Sequence, residues 1–432
     1  MTNDRPLDLP SPGLVVLIGP SGAGKSTFAA RNFAPTQVVS SDHCRALVSD
    51  DPADQRATGD AFAVLHHLVD VRLRNKRLTV VDATNVREHD RQGLLRLAKQ
   101  HDLPATAVVL DVPAEECVAR NAGRRDKPDP AVTRQQHAEL HKALGKVENE
   151  RFRRVHVLRG TGEVDSATVR PHGLAVDRAH DHGPFDVIGD VHGCRREWEE
   201  LLRRLGYRLH HDGSGRAVDA DHPEGRRVVL LGDLVDRGPD SAGSLRLAMG
   251  MVASGNALAV PGNHEHKLVR ALRGRGRPSA GLARTLEELS SWGEEFEHRV
   301  LEFCSGLPHH YVLAGGDLVV AHAGLPQHYH GRDSGRVRSF ALYGAPTGER
   351  DEAGLPVRHP WARDYRGRAV VLYGHTPVSS LEWVNRTLCL DTGCVFGGWL
   401  SAVRYPEYTT ESVAARQRYQ THPHSEALAP TE

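Results

Sequence analysis

The nine residues Gly19-Pro20-Ser21-Gly22-Ala23-Gly24-Lys25-Ser26-Thr27 constrain the fold of this chain more than any other feature. They follow the apolar run Leu14–Ile18 and precede a helical pattern beginning near Lys25. A glycine loop between a strand and a helix turns backbone N–H groups inward, where they cradle phosphates. The spacing G-x-x-x-x-G-K-[ST] then assigns the loop Gly19, Ser21, Gly22, Ala23, Gly24 and Thr27 to phosphate binding. Lys25 reaches the β- and γ-phosphates, and the Ser26 hydroxyl meets Mg²⁺. The sequence around the loop alternates β-branched strands ("TQVVSSD", "RLTVVDATN", "ATAVVLDV") with helical stretches, which specifies a parallel α/β sheet ending near Val169.

A nucleotide held there needs an acceptor. "VVSSDHCR" places Asp42 just beyond the second strand, where a carboxylate can take the proton of an attacking hydroxyl. The competing reading is that Ser41 or Asp42 only caps the next helix. Arg45 falls on the same helix face and is a candidate clamp for an acceptor phosphate. "ARNAGRRDKP" spaces Arg120 and Arg124 at i, i+4, which suits a lid over a transferring phosphate or, equally, a surface basic face.

A second α/β pattern begins at Phe185, after a Gly-, Pro-, Asp- and His-rich segment (170–184) read as a linker. Its strands "FDVIGD", "RRVVLLGD", "NALAVPGN", "DLVVAHAG", "AVVLYGH" and "TLCLDTG" all end in a polar residue beside glycine, the signature of strand-end active-site loops. Asp190 and His192 are expected to point the same way from a strand and grip one ion. Asp233 is the candidate bridge between two ions, with Asp236 and Arg237 after it. Asn263, His264, His322 and His375 complete an oxygen and nitrogen donor set without cysteine. Such donors suit two ions of Mn²⁺ or a similar divalent metal, which together bind phosphate oxygens and activate water.

The ordered series GDVHG, GDLVDRG, GNHE, His322 and GHTP resembles the binuclear metallophosphoesterases, in the branch of protein Ser/Thr phosphatases and dinucleoside-tetraphosphate hydrolases. The resemblance implies that Asp190, His192 and Asp233 hold one metal and that Asp233, Asn263, His322 and His375 hold the other. Arg237 would bind the substrate phosphate, His264 would protonate the leaving oxygen, and Asp391 would sit beside the metals. Residues 12–410 as a whole resemble the bacterial polynucleotide kinase-phosphatase of RNA repair. That likeness implies Asp42 as kinase base, Arg45 as acceptor clamp, Arg120 and Arg124 as lid arginines, and ATP with Mg²⁺ as cofactors. The ligase-like domain of that family has no counterpart, since no K-x-D-G is present, and the phage-type D-x-D-x-T phosphatase motif is absent too.

The expected architecture is thus α/β throughout. A P-loop kinase sheet occupies 1–169, opening with a loose leader over residues 1–13. A linker spans 170–184, a metallophosphoesterase α/β sandwich 185–410, and an unstructured tail 411–432. The expected activity is healing of RNA ends, with DNA as a second substrate: a 5′-hydroxyl gains phosphate and a 3′-phosphate, or a 2′,3′-cyclic phosphate, is removed. Expected partners are RNA ends, a separate ligase or an RNA end-modifying methyltransferase, and a second copy of the chain. Two other readings keep both sites. One is a small-molecule kinase fused to a nucleotide or dinucleoside-polyphosphate hydrolase; the other is a protein phosphatase governed by an ATP-sensing module. A formal net charge of zero and 5% aromatic residues advertise no strand-binding groove. No apolar run reaches the roughly 20 residues of a membrane span. Six scattered cysteines without paired spacing read as reduced thiols, which implies a cytoplasmic location.

Overall fold

The computed structural model describes residues 6–123, 128–352 and 354–421. The chain forms two compact units, Met1–Leu174 with Arg332–Ser334, and Ala175–Gly331 with Gly335–Glu432.

The first unit is built on a parallel five-stranded sheet in the order Val38–Ser40, Thr79–Asp82, Leu14–Ile18, Ala105–Asp111, Arg154–Arg159. Leu14–Ile18 is buried at every position, as expected of a central strand covered on both faces by crossover helices. The strand Arg154–Arg159 does not stand out in the sequence. It lies at the sheet edge with mostly half-exposed side chains, and His156 interrupts its short apolar run between terminal arginines. The leader is not loose, because Leu7–Ser11 pairs in parallel with Val169–Gly173. Leu9 anchors it, being fully buried in the core cluster with Val15, Leu17 and Phe28.

The second unit stacks two sheets. One runs Ala257–Ala259, Arg227–Leu230, Phe185–Ile188, Trp399–Tyr405, Thr410–Ala414; the other runs Tyr311–Leu313, Leu318–Val320, Val370–Tyr373, Thr387–Cys389, Trp383–Val384. Strand alternation sorts the core. Phe185, Val187 and Val229 pack with Leu318, Val320, Leu372 and Leu388 of the other sheet. Ile188, Val228 and Leu230 turn instead to a helical layer that includes Trp198, Leu201 and Leu245. All six strands expected from the sequence form, and all their C-terminal ends carry the loops discussed below.

Two expected boundaries move. The segment taken as a linker begins with the strand Val169–Gly173, and past it Arg178 N donates to Val312 O and Val312 N to Val176 O, so it lines a strand of the second unit. Leu174 and Val176 are buried, and they overrule the Gly- and His-rich composition around them. The region taken as a tail supplies the edge strand Thr410–Ala414, antiparallel to Trp399–Tyr405, with Val413 in the core. No helix among the described residues is long and apolar enough to cross a membrane. All six cysteines are free and buried.

Candidate functional site

The phosphate loop is held from both sides in the first unit. Gly19 N donates to Thr84 O at 2.9 Å, and Asn85 Nδ2 donates to Leu17 O at 2.8 Å. Gly22 and Gly24 sit at φ 84° and 93°, the left-handed region in which side chains are strained. Lys25 is buried at the start of the helix Lys25–Asn32 and donates to Gly19 O and Pro20 O at 2.9 and 2.8 Å. Ser26 and Thr27 are exposed on the same first turn. Ser21 N donates to Gln136 Oε1 at 2.8 Å. Arg120 pairs with Asp165 at 2.8 Å, and its Nη1 lies 3.3 Å from where a Cβ on Gly24 would stand, so the guanidinium rests against the loop. The helix carrying Arg120 ends at Ala122, two residues before Arg124, which lies outside the described residues.

Asp42 and Arg45 occupy the helix Ser41–Ser49, at the C-terminal end of the sheet where the phosphate loop emerges. Ser40 caps this helix by accepting from His43 N, so neither Ser41 nor Asp42 is consumed as a cap. Arg45 is buried, pairs with the half-exposed Asp42 at 2.8 Å and donates to Pro52 O. One residue was passed over in the sequence. Asp82 is buried at the end of Thr79–Asp82, the strand between those leading to Asp42 and to the phosphate loop. Its signal was "LTVVD", an apolar strand ended by a carboxylate.

In the second unit the strand ends converge on Asp233. The ligand atoms of His192, Asp233 and His264 lie within 4.8 Å of one another, and so do those of Asp233, His322 and His375. Asp233 is therefore common to two groups, as a bridging carboxylate must be. Asn263 Oδ1 and His375 Nδ1 stand 3.1 and 3.0 Å from His322 Nε2. Asp190 joins from the first strand by accepting from His375 N at 3.0 Å. Gly374 makes that approach possible, because a Cβ there would fall 2.0 Å from Asp190 Oδ1. The expectation that strand alternation aims Asp190 and His192 together is corrected. The strand stops at Ile188 and His192 sits at φ 45°, so the loop, not the pleat, turns its ring toward Asp233. His192 and His322 each donate from Nδ1 to a carbonyl, Val235 O and Leu231 O, which leaves Nε2 facing Asp233.

The electrostatics call for cations. Burial, then Asp391 and Asp233, push the Asp190 carboxyl well up, and burial raises Asp391 to about 6. Asp233 resists the same burial because His322, His264 and His192 surround it, and its carboxyl is held well below the usual range. Burial holds His192, His322 and His375 below the ordinary histidine value, hence neutral and able to ligate. Asp190 Oδ1 and His375 Nε2 are buried without a hydrogen-bond partner. Three carboxylates, neutral imidazoles and orphaned donor atoms together fit divalent metal ions.

Asp236 and Arg237, both named from the sequence, stand beside the ligands with Glu265, Thr285 and Tyr419, which the sequence reading missed. Asp236 Oδ2 accepts from His264 Nδ1 at 2.6 Å, and Thr285 Oγ1 donates to Asp236 Oδ1 at 2.5 Å, so His264 presents Nε2 toward Asp233. Glu265 is fully buried and accepts from four backbone N–H groups of the loops that carry Asp233 and Asn263. Arg237 reaches His192 Nε2 at 2.7 Å, stacks 5.3 Å from the Phe396 ring, and opens onto a cavity of about 250 Å³ shared with Arg284, Glu288, Tyr419 and Gln420. Tyr419 N and Gln420 N donate to Val395 O, which is how the C-terminal segment comes to wall this cavity. The spacing in GDLVDRG and GNHE signals Asp236 and Glu265; nothing in the sequence signals Tyr419.

This convergence matches a known family, since the calcineurin-like phosphoesterases align with residues 183–409. The chain belongs to the calcineurin-like phosphoesterases. Residues 14–146 match an AAA domain, so a P-loop unit of nucleotide-binding type precedes the phosphoesterase. The phosphoesterase family implies divalent metal ions and the P-loop a nucleotide. Among curated relatives, the asymmetrical bis(5′-nucleosyl)-tetraphosphatase of Anoxybacillus flavithermus is 41% identical over 240 residues, 54% of this chain and 96% of that protein. The proteins of the same name from Geobacillus thermodenitrificans and Bacillus subtilis are 44% and 42% identical, covering 53% and 54% of this chain and 93% and 96% of their own lengths.

Proposed function

We propose that the phosphoesterase unit hydrolyses a phosphate bond in a nucleotide, with dinucleoside polyphosphates as its substrate class. The P-loop unit, in this reading, moves a phosphoryl group from ATP to a small hydroxyl acceptor. Asp233 at the junction of two ligand groups, beside Arg237 and a braced His264, is the observation that carries the proposal. The identity to tetraphosphatases over nearly their whole length supports the substrate class.

Asp190, His192 and Asp233 would hold one ion, and Asp233, Asn263, His322 and His375 the other, with Asp391 next to Asp190. Two such ions, Mn²⁺ being well suited to these donors, supply phosphate binding and a water acidic enough to attack at neutral pH. Arg237 binds the phosphate under attack through a charge-assisted contact. His264, steered by Asp236, gives the proton on Nε2 to the departing oxygen. In the P-loop unit Lys25 and the loop N–H groups hold the ATP phosphates, Ser26 meets Mg²⁺, and Arg120 closes from the loop's flank, with Arg124 as its expected companion. Asp42 takes the proton of the acceptor hydroxyl, and Arg45 positions both Asp42 and the acceptor.

A second reading, healing of RNA or DNA ends, is favoured by one feature: phosphate-adding and phosphate-removing sites on a single chain, which a 5′-hydroxyl and a 3′-phosphate would both require. One experiment separates the two. The full chain with Mn²⁺, Mg²⁺ and ATP is given diadenosine tetraphosphate in one reaction and 5′-hydroxyl, 3′-phosphate RNA in another. Lys25→Ala and Asp190→Ala proteins run alongside. Unequal cleavage of the tetraphosphate that is lost in Asp190→Ala, with both RNA ends untouched, is the expected result. Conversion of both RNA ends, each abolished by one variant, would replace the proposal with end healing.

A further inference from the structure

The first unit contains a third group of ligand-bearing side chains, far in sequence from the phosphoesterase centre. Asp111 ends the strand Ala105–Asp111, and His137 and His141 stand one turn apart on the helix Pro130–Val147. Their ligand atoms all lie within 4.8 Å of one another. His141 Nε2 is 3.0 Å from Asp111 Oδ1 and 3.1 Å from His137 Nε2, and the two rings are 4.4 Å apart.

We propose that Asp111, His137 and His141 form a transition-metal site that fastens this helix to the sheet beside the phosphate loop. Three features carry it. Two histidines at i, i+4 project from one helix face, and both aim the same ring nitrogen, Nε2, at one point. The separations are close to the donor–donor edge of about 3.3 Å in a tetrahedral site with metal–nitrogen distances of about 2.0–2.1 Å. With neutral rings His141 Nε2 either donates to Asp111 Oδ1 or accepts from His137 Nε2, so one of the two contacts stays unsatisfied, whereas one cation satisfies all three atoms.

The donors choose the ion. Two imidazoles and one carboxylate suit Zn²⁺, Co²⁺ or Ni²⁺ and not Mg²⁺ or Ca²⁺. His141 is half exposed (49%) while the Asp111 side chain is nearly covered (14%), so an ion enters from solvent and keeps an open position. The location gives the site its consequence. Gln136, adjacent to His137, accepts from Ser21 N in the phosphate loop, and Thr133 on the same helix accepts from Asn121, whose Oδ1 contacts Ser21 Oγ. An ion bound here therefore braces the helix that holds the loop, without touching nucleotide itself.

The test counts ions on the full chain. Protein stripped with chelator is dialysed against Zn²⁺ and bound metal is counted by mass spectrometry, for wild type, His141→Ala, His137→Ala/His141→Ala and Asp111→Asn. The phosphoesterase centre is intact in all four, so its ions cancel in the comparison. The expected result is one ion per chain fewer in the double variant. The single variants should bind that ion at least about tenfold more weakly, and the Co²⁺ visible spectrum of the wild type should lose one component. Asp111→Asn preserves side-chain volume and His141 is half exposed, so circular dichroism should be unchanged in both. Equal Zn²⁺ counts and equal Co²⁺ spectra in wild type and all three variants would overturn the proposal and leave a hydrogen-bonded surface cluster.

Discussion

Glu265→Gln is the sharpest perturbation available, because it changes one atom beneath the metal-binding loops. Glu265 Oε2 accepts from Asp233 N at 2.8 Å and Gly262 N at 2.7 Å, while Oε1 accepts from Leu234 N at 2.8 Å and Val235 N at 3.3 Å. Glutamine keeps one oxygen and turns an NH₂ toward the other pair, so two buried N–H groups lose their acceptor and face a donor. Each unsatisfied buried donor costs about 1–3 kcal/mol, for a total of about 2–6 kcal/mol. In a unit of this size each kcal/mol moves the midpoint by about 2–4 °C, so the phosphoesterase transition should fall by at least about 4 °C. The loop must also shift to relieve the contact, and it carries Asp233. Mn²⁺ affinity should therefore drop about tenfold or more, the usual scale for removing a group that orients a ligand. Scanning calorimetry on the full chain and isothermal titration with Mn²⁺ read the two effects. A Glu265→Gln protein within about 1 °C of wild type, with unchanged Mn²⁺ binding, would refute the clamp.

Other perturbations reach the remaining parts. Asp42→Asn should lower phosphoryl transfer by about 10²–10⁴-fold while ATP binding stays intact, checked by filter-binding and labelled-ATP transfer; loss of ATP binding instead would make Asp42 structural. Arg284→Ala and Tyr419→Ala should raise KM for a dinucleoside polyphosphate on the order of tenfold with kcat little changed, since they line the cavity next to Arg237 and are not among the proposed metal ligands. His66 and His156 are about half buried, and burial holds both below the ordinary value of 6.5. The unfolded chain thus takes up protons below pH 6.5 that the folded unit refuses. Stability of the first unit should be level above that pH and decline as pH falls through the depressed folded values. Urea midpoints from pH 8 to 5 test this, and His66→Gln/His156→Gln should flatten the decline.

The two readings of function diverge on substrate size, and the chemistry explains why the sequence leaned toward the larger one. Kinase and phosphatase motifs on one chain make end healing coherent, but motifs identify the reacting phosphate and not the group attached to it. In the proposed reading that group would meet the cavity beyond Arg237, whose wall includes Tyr419 and Gln420, in a stretch with no apolar periodicity.

What the sequence determined by itself is local. A glycine loop needs positive φ at Gly22 and Gly24, and a strand end needs a polar residue beside a glycine, so the phosphate loop and all six strand ends that carry candidate ligands could be read from adjacent residues. Tertiary structure alone decided the rest. Arg154–Arg159 becomes a strand only because Ala105–Asp111 offers it an edge, and Thr410–Ala414 only because Trp399–Tyr405 does. Asp233 becomes the shared residue only when His192, His264, His322 and His375 are carried to it from four different strand ends. Asp111, His137 and His141 gave no signal as a group, since a strand end and a helix 26 residues on must first pack together. Hydrogen-bonding and φ preferences act between neighbours and are written in the chain. Convergence of charges depends on which strands pair, and that is settled by burial of the whole core.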